Sequence, residues 1–344
     1  MLQDVPPALP IAGIKMEGAN MKKLIVALAL AATFGSIGRA PAQTYPSRPI
    51  TMVVPYPPGG STDVIGRLLV ERMRASLGQP IIIESVAGAN GSIGVGRIAR
   101  AAPDGYTLVL GQWNTLVANG ALYALQYDLL NDFEPIALLT QSPLLVTAKK
   151  TMPAKDLKEF IAWLKANPNK ATQGIPGAGS AAHVAGVFFQ KETGTLFQFV
   201  PYRGGAPATQ DLVAGHIDLT MGVATDALPH VLTGTIKAYA VTAKSRLAAA
   251  PGIPTVDEAG SPGFYLSQWY GLWAPKGTPN NVVGKLNSAV VEALADSAVR
   301  SRLFDLAQEI FPREQQTPEA LHAFQKAEIQ KWWPIIKAAN IKGE

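Results

Sequence analysis

The sequence predicts an α/β protein of two lobes that face each other across a cleft, and three observations lead there. The chain has 344 residues, more than a single hydrophobic core ordinarily needs. Its residues are 48% hydrophobic and only 16% charged, which excludes a disordered chain. Most telling, four short apolar runs each end in a glycine-rich loop that opens a helical segment, two of them before residue 110 and two after residue 170. Apolar strands alternating with helices make parallel sheets covered on both faces, and such sheets bind ligands at the carboxyl ends of their strands.

The elements follow in order. Met21-Lys22-Lys23, the uncharged apolar run 24–37 and Ala40-Pro41-Ala42 form a basic head, a short apolar middle and an A-x-A site, the pattern of a secretory signal. The run is too short for a bilayer span; a buried N-terminal helix is its other reading. Residues 1–20 have no part in a signal, so translation is expected to begin at Met21 and the exported, soluble chain at Gln43. The 26 basic and 23 acidic side chains beyond residue 42 leave a balance of +3, spread along the chain, unlike a nucleic-acid-binding stripe.

The first junction is the strand 50–54, the loop 55–63 and a helix whose Ile65, Leu68, Leu69 and Met73 share one stripe. Ser61, Thr62 or Asp63 is expected to cap that helix. The second is 81–83 with the loop 88–94, the third the loop 174–180 before a helix over 181–190, the fourth 197–200 with the loop 201–206. Glycine admits close approach of a ligand to the backbone, and free amides at a helix start favour an anion. The uncharged stretch 105–127 is broken by Gln112, Asn114, Asn119 and glycines, so it reads as strand, loop and short helix. Segments 143–146 and 269–273 are candidate crossings between lobes. Thr278-Pro279 opens a helix with Val282, Val283, Leu286, Val290 and Leu294 inward. A last helix starts near Pro318 and is expected to kink or end at Pro334, with Trp332 and Trp333 docking it.

Catalytic signatures are missing. Without cysteine there is no disulfide, thiolate metal site or cysteine nucleophile. The histidines His183, His216, His230 and His322 stand in no metal-ligand spacing, and neither a P-loop nor a G-x-S-x-G elbow occurs. Gly177-Ala178-Gly179-Ser180-Ala181-Ala182 nearly matches the dinucleotide fingerprint, but the next strand offers no acid for the ribose. No cofactor and no metal are therefore expected. Four residues keep two readings each. His183 reaches a bound anion or is a partly buried helix residue. Asp63 is an acid of the site or a cap. Arg203 pairs with a ligand carboxylate or is solvated. Trp113 walls the pocket or packs inside.

The assembled pattern resembles the receptors of the tripartite tricarboxylate transporter family, also called Bug-type receptors. The likeness is carried, in order, by Tyr45-Pro46-Ser47-Arg48-Pro49-Ile50, the Pro-Gly-Gly loop within 53–63, Pro103-Asp104-Gly105-Tyr106-Thr107-Leu108 and Tyr127-Asp128 with Asp132-Phe133-Glu134-Pro135-Ile136. It continues through 177–183, Val200-Pro201-Tyr202-Arg203-Gly204-Gly205-Ala206-Pro207, Arg246 with 254–260, and Gly271-Leu272-Trp273-Ala274-Pro275. The resemblance implies a type II periplasmic binding protein fold, with two α/β lobes joined by a hinge and a ligand cleft between them. Lobe one would be residues 43–142 with 267–344, and lobe two residues 143–266.

The ligand contacts it implies are Tyr56, Pro58, Gly59, Gly60, Ser61, Thr62 and Asp63 in the first loop, and Gln112, Trp113 and Asn114 after the third strand. In lobe two they are Gly177, Ala178, Gly179, Ser180 and His183, then Tyr202, Arg203, Gly204, Gly205 and Ala206, then Thr225 and Asp226. Asn90 stands where the family often has glycine, and Trp113 is bulkier than the small polar residues often found there. The partners implied are a small organic acid, di- or tricarboxylic or aromatic, and membrane transporter subunits. No nucleic acid is expected, and the protein is expected to act in the periplasm as a monomer. An exported α/β enzyme acting on a carboxylated substrate, with Asp63, His183 and Asp226 as scattered candidates, is the rival reading.

Overall fold

The computed structural model describes residues 44–341 and 343. The signal and the upstream extension, over residues 1–42, lie outside them. Ile50, Met52, Val53 and Val54 are shut off from solvent in β1 (Ile50–Val54), which runs parallel between β2 (Ile81–Ser85) and β3 (Thr107–Gln112). Such near-continuous apolar runs suit strands covered on both faces. The second parallel group places β5 (Thr172–Ile175) between β6 (Gln198–Pro201) and β7 (Leu219–Val223).

Two long antiparallel strands join these groups. β4 (Phe133–Lys149) and β9 (Ser267–Pro275) give the sheet order β2-β1-β3-β9-β4-β7-β5-β6. The first part of β4 pairs with β9 up to Pro143↔Ser267, and from Leu144 onward it pairs with β7 and with β8 (Ile236–Val241). The short β10 (Glu309–Ile310) closes on Gln141 and Thr140 of β4. The chain therefore passes between two half-sheets at 142–144 and returns at 266–268. The second passage lies just before the 269–273 segment expected from the sequence, because Trp269–Trp273 is already ladder-bonded to β3 and β4. Thr242 ties the passage together: its hydroxyl donates to the Leu144 and Leu266 carbonyls and accepts from the Leu144 amide.

Helices cover both faces. α1 (Ser61–Leu77) buries Ile65, Leu69 and Met73, and α2 (Ser92–Ala99) buries Val95 and Ile98. A π-helical turn, Asn114–Ala118, runs into the short α3 (Asn119–Leu122). α4 (Leu157–Ala166), α5 (Ala181–Thr193), α6 (Gly205–Ala214) and α7 (Ala224–Leu232) dress the second half-sheet. α8 (Asn280–Ala295), α9 (Ser297–Asp305) and α10 (Pro318–Ala338) return to the first.

α10 runs through Pro334 instead of ending there. The hydrogen bond lost at that proline lies in the last turn but one, where burial of Trp332 and Ile336 and the Trp333 Nε1 bond to the Val117 carbonyl outweigh it. Buried Gln325 on the same helix donates to the carbonyls of Leu116 and Leu129, so α10 is fixed to the π-helical turn. From Pro46 onward the described chain is one compact unit. Among the described residues no helix is long and apolar enough to cross a membrane.

Candidate functional site

The carboxyl ends of strands from both half-sheets open onto one cavity of about 140 Å³. The first half-sheet supplies Tyr56, Pro57, Pro58, Gly60, Ser61 and Thr62 after β1, and Gln112 and Asn114 at the end of β3. The second supplies Gly174, Pro176, Ala181 and Ala182, then 203–209, then Thr220, Gly222, Val223 and Asp226. The crossing strands add Leu144, Gln268 and Tyr270.

Three helices point their N-termini at this cavity without a side-chain cap: α1 behind Gly60, α6 behind Gly204 and α7 behind Val223. Elsewhere Asp156, Asp296 and Thr317 cap α4, α9 and α10 through their side chains, while α2 and α8 also start without a side-chain cap. First-turn amides have no partner within their own helix, and together with the helix dipole they favour an anion. α5 also reaches the cavity, but its Ala181 and His183 amides, and the Gly179 amide of the turn before it, are bonded inside the protein. Ala181 N–H donates to Asn114 Oδ1 at 3.1 Å, His183 N–H to Ser180 Oγ at 3.2 Å, and Gly179 N–H to His183 Nδ1 at 2.9 Å.

The polar side chains on the wall are set by their neighbours. Thr62 Oγ1 donates to Gln112 Oε1 at 3.0 Å, and the Tyr270 hydroxyl donates to Ser61 Oγ at 3.0 Å. Gln268 is 3% exposed, and its Nε2 has no hydrogen-bond partner in the protein. Burial pushes the Tyr56 and Tyr270 hydroxyls above the ordinary phenol range, so both remain neutral donors. Burial also raises the Asp226 carboxyl, to about 7. No group of three or more histidine or carboxylate side chains that could hold a metal occurs among the described residues.

The model of the tripartite tricarboxylate transporter family receptor, TctC, matches residues 65–341. The chain belongs to this receptor family. The receptor is 36% identical to the periplasmic binding protein BugD; that structure superposes with a TM-score of 0.82, covering 87% of this chain and 100% of BugD. MatC of Rhodopseudomonas palustris, solved with bound malate, is 39% identical with a TM-score of 0.80, covering 85% of this chain and 100% of MatC. R. palustris Rpa4515, solved with adipate, is 30% identical with a TM-score of 0.82, covering 87% of this chain and 99% of that protein. The fold is thus that of the periplasmic binding proteins, and the receptor stands among solute-binding proteins.

Of the contacts expected from the sequence, Tyr56, Pro58, Gly60, Ser61, Thr62, Gln112, Asn114, Arg203, Gly204, Gly205, Ala206 and Asp226 line the cavity. The remainder do not, each for a visible reason. Gly59 N–H donates to Asp63 Oδ2 at 3.0 Å, so Asp63 braces the loop and leaves the cap position to Gly60. Burial opposes ionisation of Asp63, but the hydrogen bonds from Arg67 and Gly59, with the Arg67 charge, outweigh it and lower its pKa.

Trp113 is fully buried and meets the edge of Trp332 at 5.4 Å between ring centres, which makes it core and not a pocket wall. Gly177, Ala178, Gly179 and Ser180 form the turn and cap of α5. His183 accepts from that turn and lies 4.5 Å from Phe199; burial lowers it to about 4, so it is neutral. The Tyr202 hydroxyl donates to Asp211 at 2.6 Å, and Thr225 Oγ1 donates to the Leu306 carbonyl at 2.7 Å.

Asn90 adopts a left-handed backbone (φ 49°), which asparagine tolerates. Its Nδ2 donates to Asn119 Oδ1 at 3.0 Å and to the Ala178 carbonyl at 3.3 Å, a bond from the loop after β2 to the turn before α5. Gln268 and Tyr270 are wall residues that the sequence does not point to as ligand contacts, Tyr270 being read there only as part of the crossing 269–273. They occupy every second position of β9, while Trp269 and Trp273 face α10, an alternation the sequence hides because both faces of the strand are buried.

Proposed function

We propose that this receptor captures a small organic carboxylate in the periplasm and hands it, chemically unchanged, to the membrane subunits of a tripartite transporter. The observation that carries the reading is the convergence of uncapped helix N-termini from opposite half-sheets, α1 on one side and α6 with α7 on the other, upon one cavity. Main-chain amides hold a carboxylate without a formal positive charge, and the apolar part of the wall sets selectivity. The two lobes, residues 43–142 with 267–344 and residues 143–266, would hinge where β4 and β9 pass between the half-sheets. A ligand touching both sides favours the closed arrangement by its differential affinity. The malate and adipate of the two relatives support an acid of this size, and the family supports a transporter as recipient. Ser61 is the serine on the wall, and it accepts from Tyr270 with no histidine at its side, since His183 is committed to Gly179. That favours holding over turnover.

A thermal-shift screen over four- to six-carbon dicarboxylates, tricarboxylates, aromatic acids and amino acids tests the reading. Specific binding to the folded state raises the melting temperature, and the acid is recovered intact. Gly60→Val sharpens the test. Gly60 has φ −80°, and a Cβ there would meet nothing nearer than the Pro57 carbonyl at 4.0 Å, so the variant folds while its side chain stands between ligand and amides. Unchanged affinity in Gly60→Val contradicts the amide cradle.

A further inference from the structure

We infer that the acid captured in this cavity shares a proton with Asp226, the ligand carboxylate and the Asp226 carboxyl forming one O–H···O pair, so that each ligand enters together with a proton. This rests on the reading of the site as a carboxylate receptor and adds how an acid of the protein itself takes part in holding the ligand.

Asp226 is the third residue of α7, and it lines the cavity. Its carboxyl stands so close to Gly205, the first residue of α6, that a Cβ built on Gly205 would collide with Oδ2. It therefore borders the place where the uncapped starts of α6 and α7 favour an anion. Burial raises the Tyr270 hydroxyl and the Asp226 charge adds to that, so these two groups are neighbours, and Tyr270 in turn donates to Ser61 at the start of α1. A ligand carboxylate held at these helix starts thus stands beside Asp226.

No group of the protein compensates this acid. It makes no hydrogen bond or ion pair with a described residue, and burial alone accounts for its raised pKa. On the elements packed against α7, Lys149 of β4 pairs with Asp218, Glu134 of β4 with Lys276, and Asp211 of α6 is bonded to Tyr202 and His216. Lys237 and Tyr239 of β8 donate to the Met152 and Ala154 carbonyls, and β7 carries no titratable side chain. On α7 itself His230 lies one turn further along and makes no bond to Asp226. The cavity wall adds Tyr56 and Tyr270, both neutral, and the exposed Arg203, which makes no ion pair with Asp226.

Two carboxylates side by side in such a site cannot both stay ionised, and one proton changes the sign of their contact. Ionised, Asp226 repels the ligand. Protonated, it gains an O–H that donates to the ligand carboxylate, a charge-assisted hydrogen bond about twice as strong as a neutral one. Burial puts the free carboxyl at about 7, so near neutral pH the proton is partly in place before binding and the rest is drawn from solvent. The pair carries one negative charge instead of two, which the amides of α6 and α7 still favour.

Calorimetric titration of the full protein with succinate, malate, glutarate and adipate tests this, from about pH 6.5 to about pH 8.5 and at each pH in two buffers of different ionisation enthalpy. These acids are themselves ionised throughout that range. Those that bind are expected to bring about one proton per molecule near pH 8, and their affinity is expected to fall more than about tenfold across the range. Asp226→Asn keeps the shape and a hydrogen-bond donor but has no proton to exchange. It is expected to bind without proton uptake, at an affinity that is flat with pH and exceeds that of wild type at the alkaline end, a gain that loss of a merely structural residue would not give. Binding by wild type without proton uptake, or with proton release, overturns the inference and leaves the receptor reading standing, as does equal uptake in Asp226→Asn. If that variant does not fold, the proton count and pH profile of wild type decide alone. Failure of every acid to bind wild-type protein overturns both readings.

Discussion

His183 shows how local geometry decides between a ligand contact and a strut. It follows a glycine loop at a helix start, where an anion contact is plausible, yet its Nδ1 accepts from Gly179 and its ring lies against Phe199. Its pKa, lowered to about 4 by burial, sits below the unfolded value near 6.5. The unfolded chain therefore binds the extra proton first on acidification, and stability is lost as the pH falls from about 6.5 towards 4. Melting temperatures measured across this window should fall more steeply for wild type than for His183→Gln. The affinity for a bound acid should be alike in the two proteins at pH 7. A flat wild-type profile, or a lost ligand in the variant, would return His183 to the site.

Among elements, the pairing of α10 with the π-helical turn after β3 governs where Gln112 and Asn114 stand. Trp113 lies between those two cavity residues in sequence but points into the core against Trp332, and Gln325 and Trp333 bond the carbonyls of Leu116 and Val117 behind it. Trp113→Ala should cost about 3–5 kcal/mol of stability by opening a cavity beneath the turn. At temperatures where that variant is folded it should retain ligand affinity within a few-fold, as read by denaturant unfolding and calorimetry. The sequence made the strand–loop–helix junctions legible, because β-branched runs and glycine pairs are local signals. It could not show that the amides of Gly179, Ala181 and His183 are taken by His183, Asn114 and Ser180, since the bond to Asn114 joins residues 67 positions apart. Gln268 and Tyr270 were equally hidden, because β9 is buried on both faces, which masks its alternation.

For the molecule as a whole, β4 runs unbroken from the first half-sheet into the second while β9 pairs only within the first, and the chain passes between the halves at 142–144 and 266–268. Across the cavity the halves touch through Asn90 and the Ala178 carbonyl, and through Asn114 and Ala181. The account claims that one small acid is gripped at once by backbone amides of both halves. Proton–nitrogen correlation spectra of glycine-labelled protein, recorded as a tightly binding acid from the screen is added, measure this directly, since Gly60 and Gly205 report from opposite walls. Both amides should move strongly downfield and saturate at one equivalent. Movement of Gly60 alone, or of neither, would contradict the account.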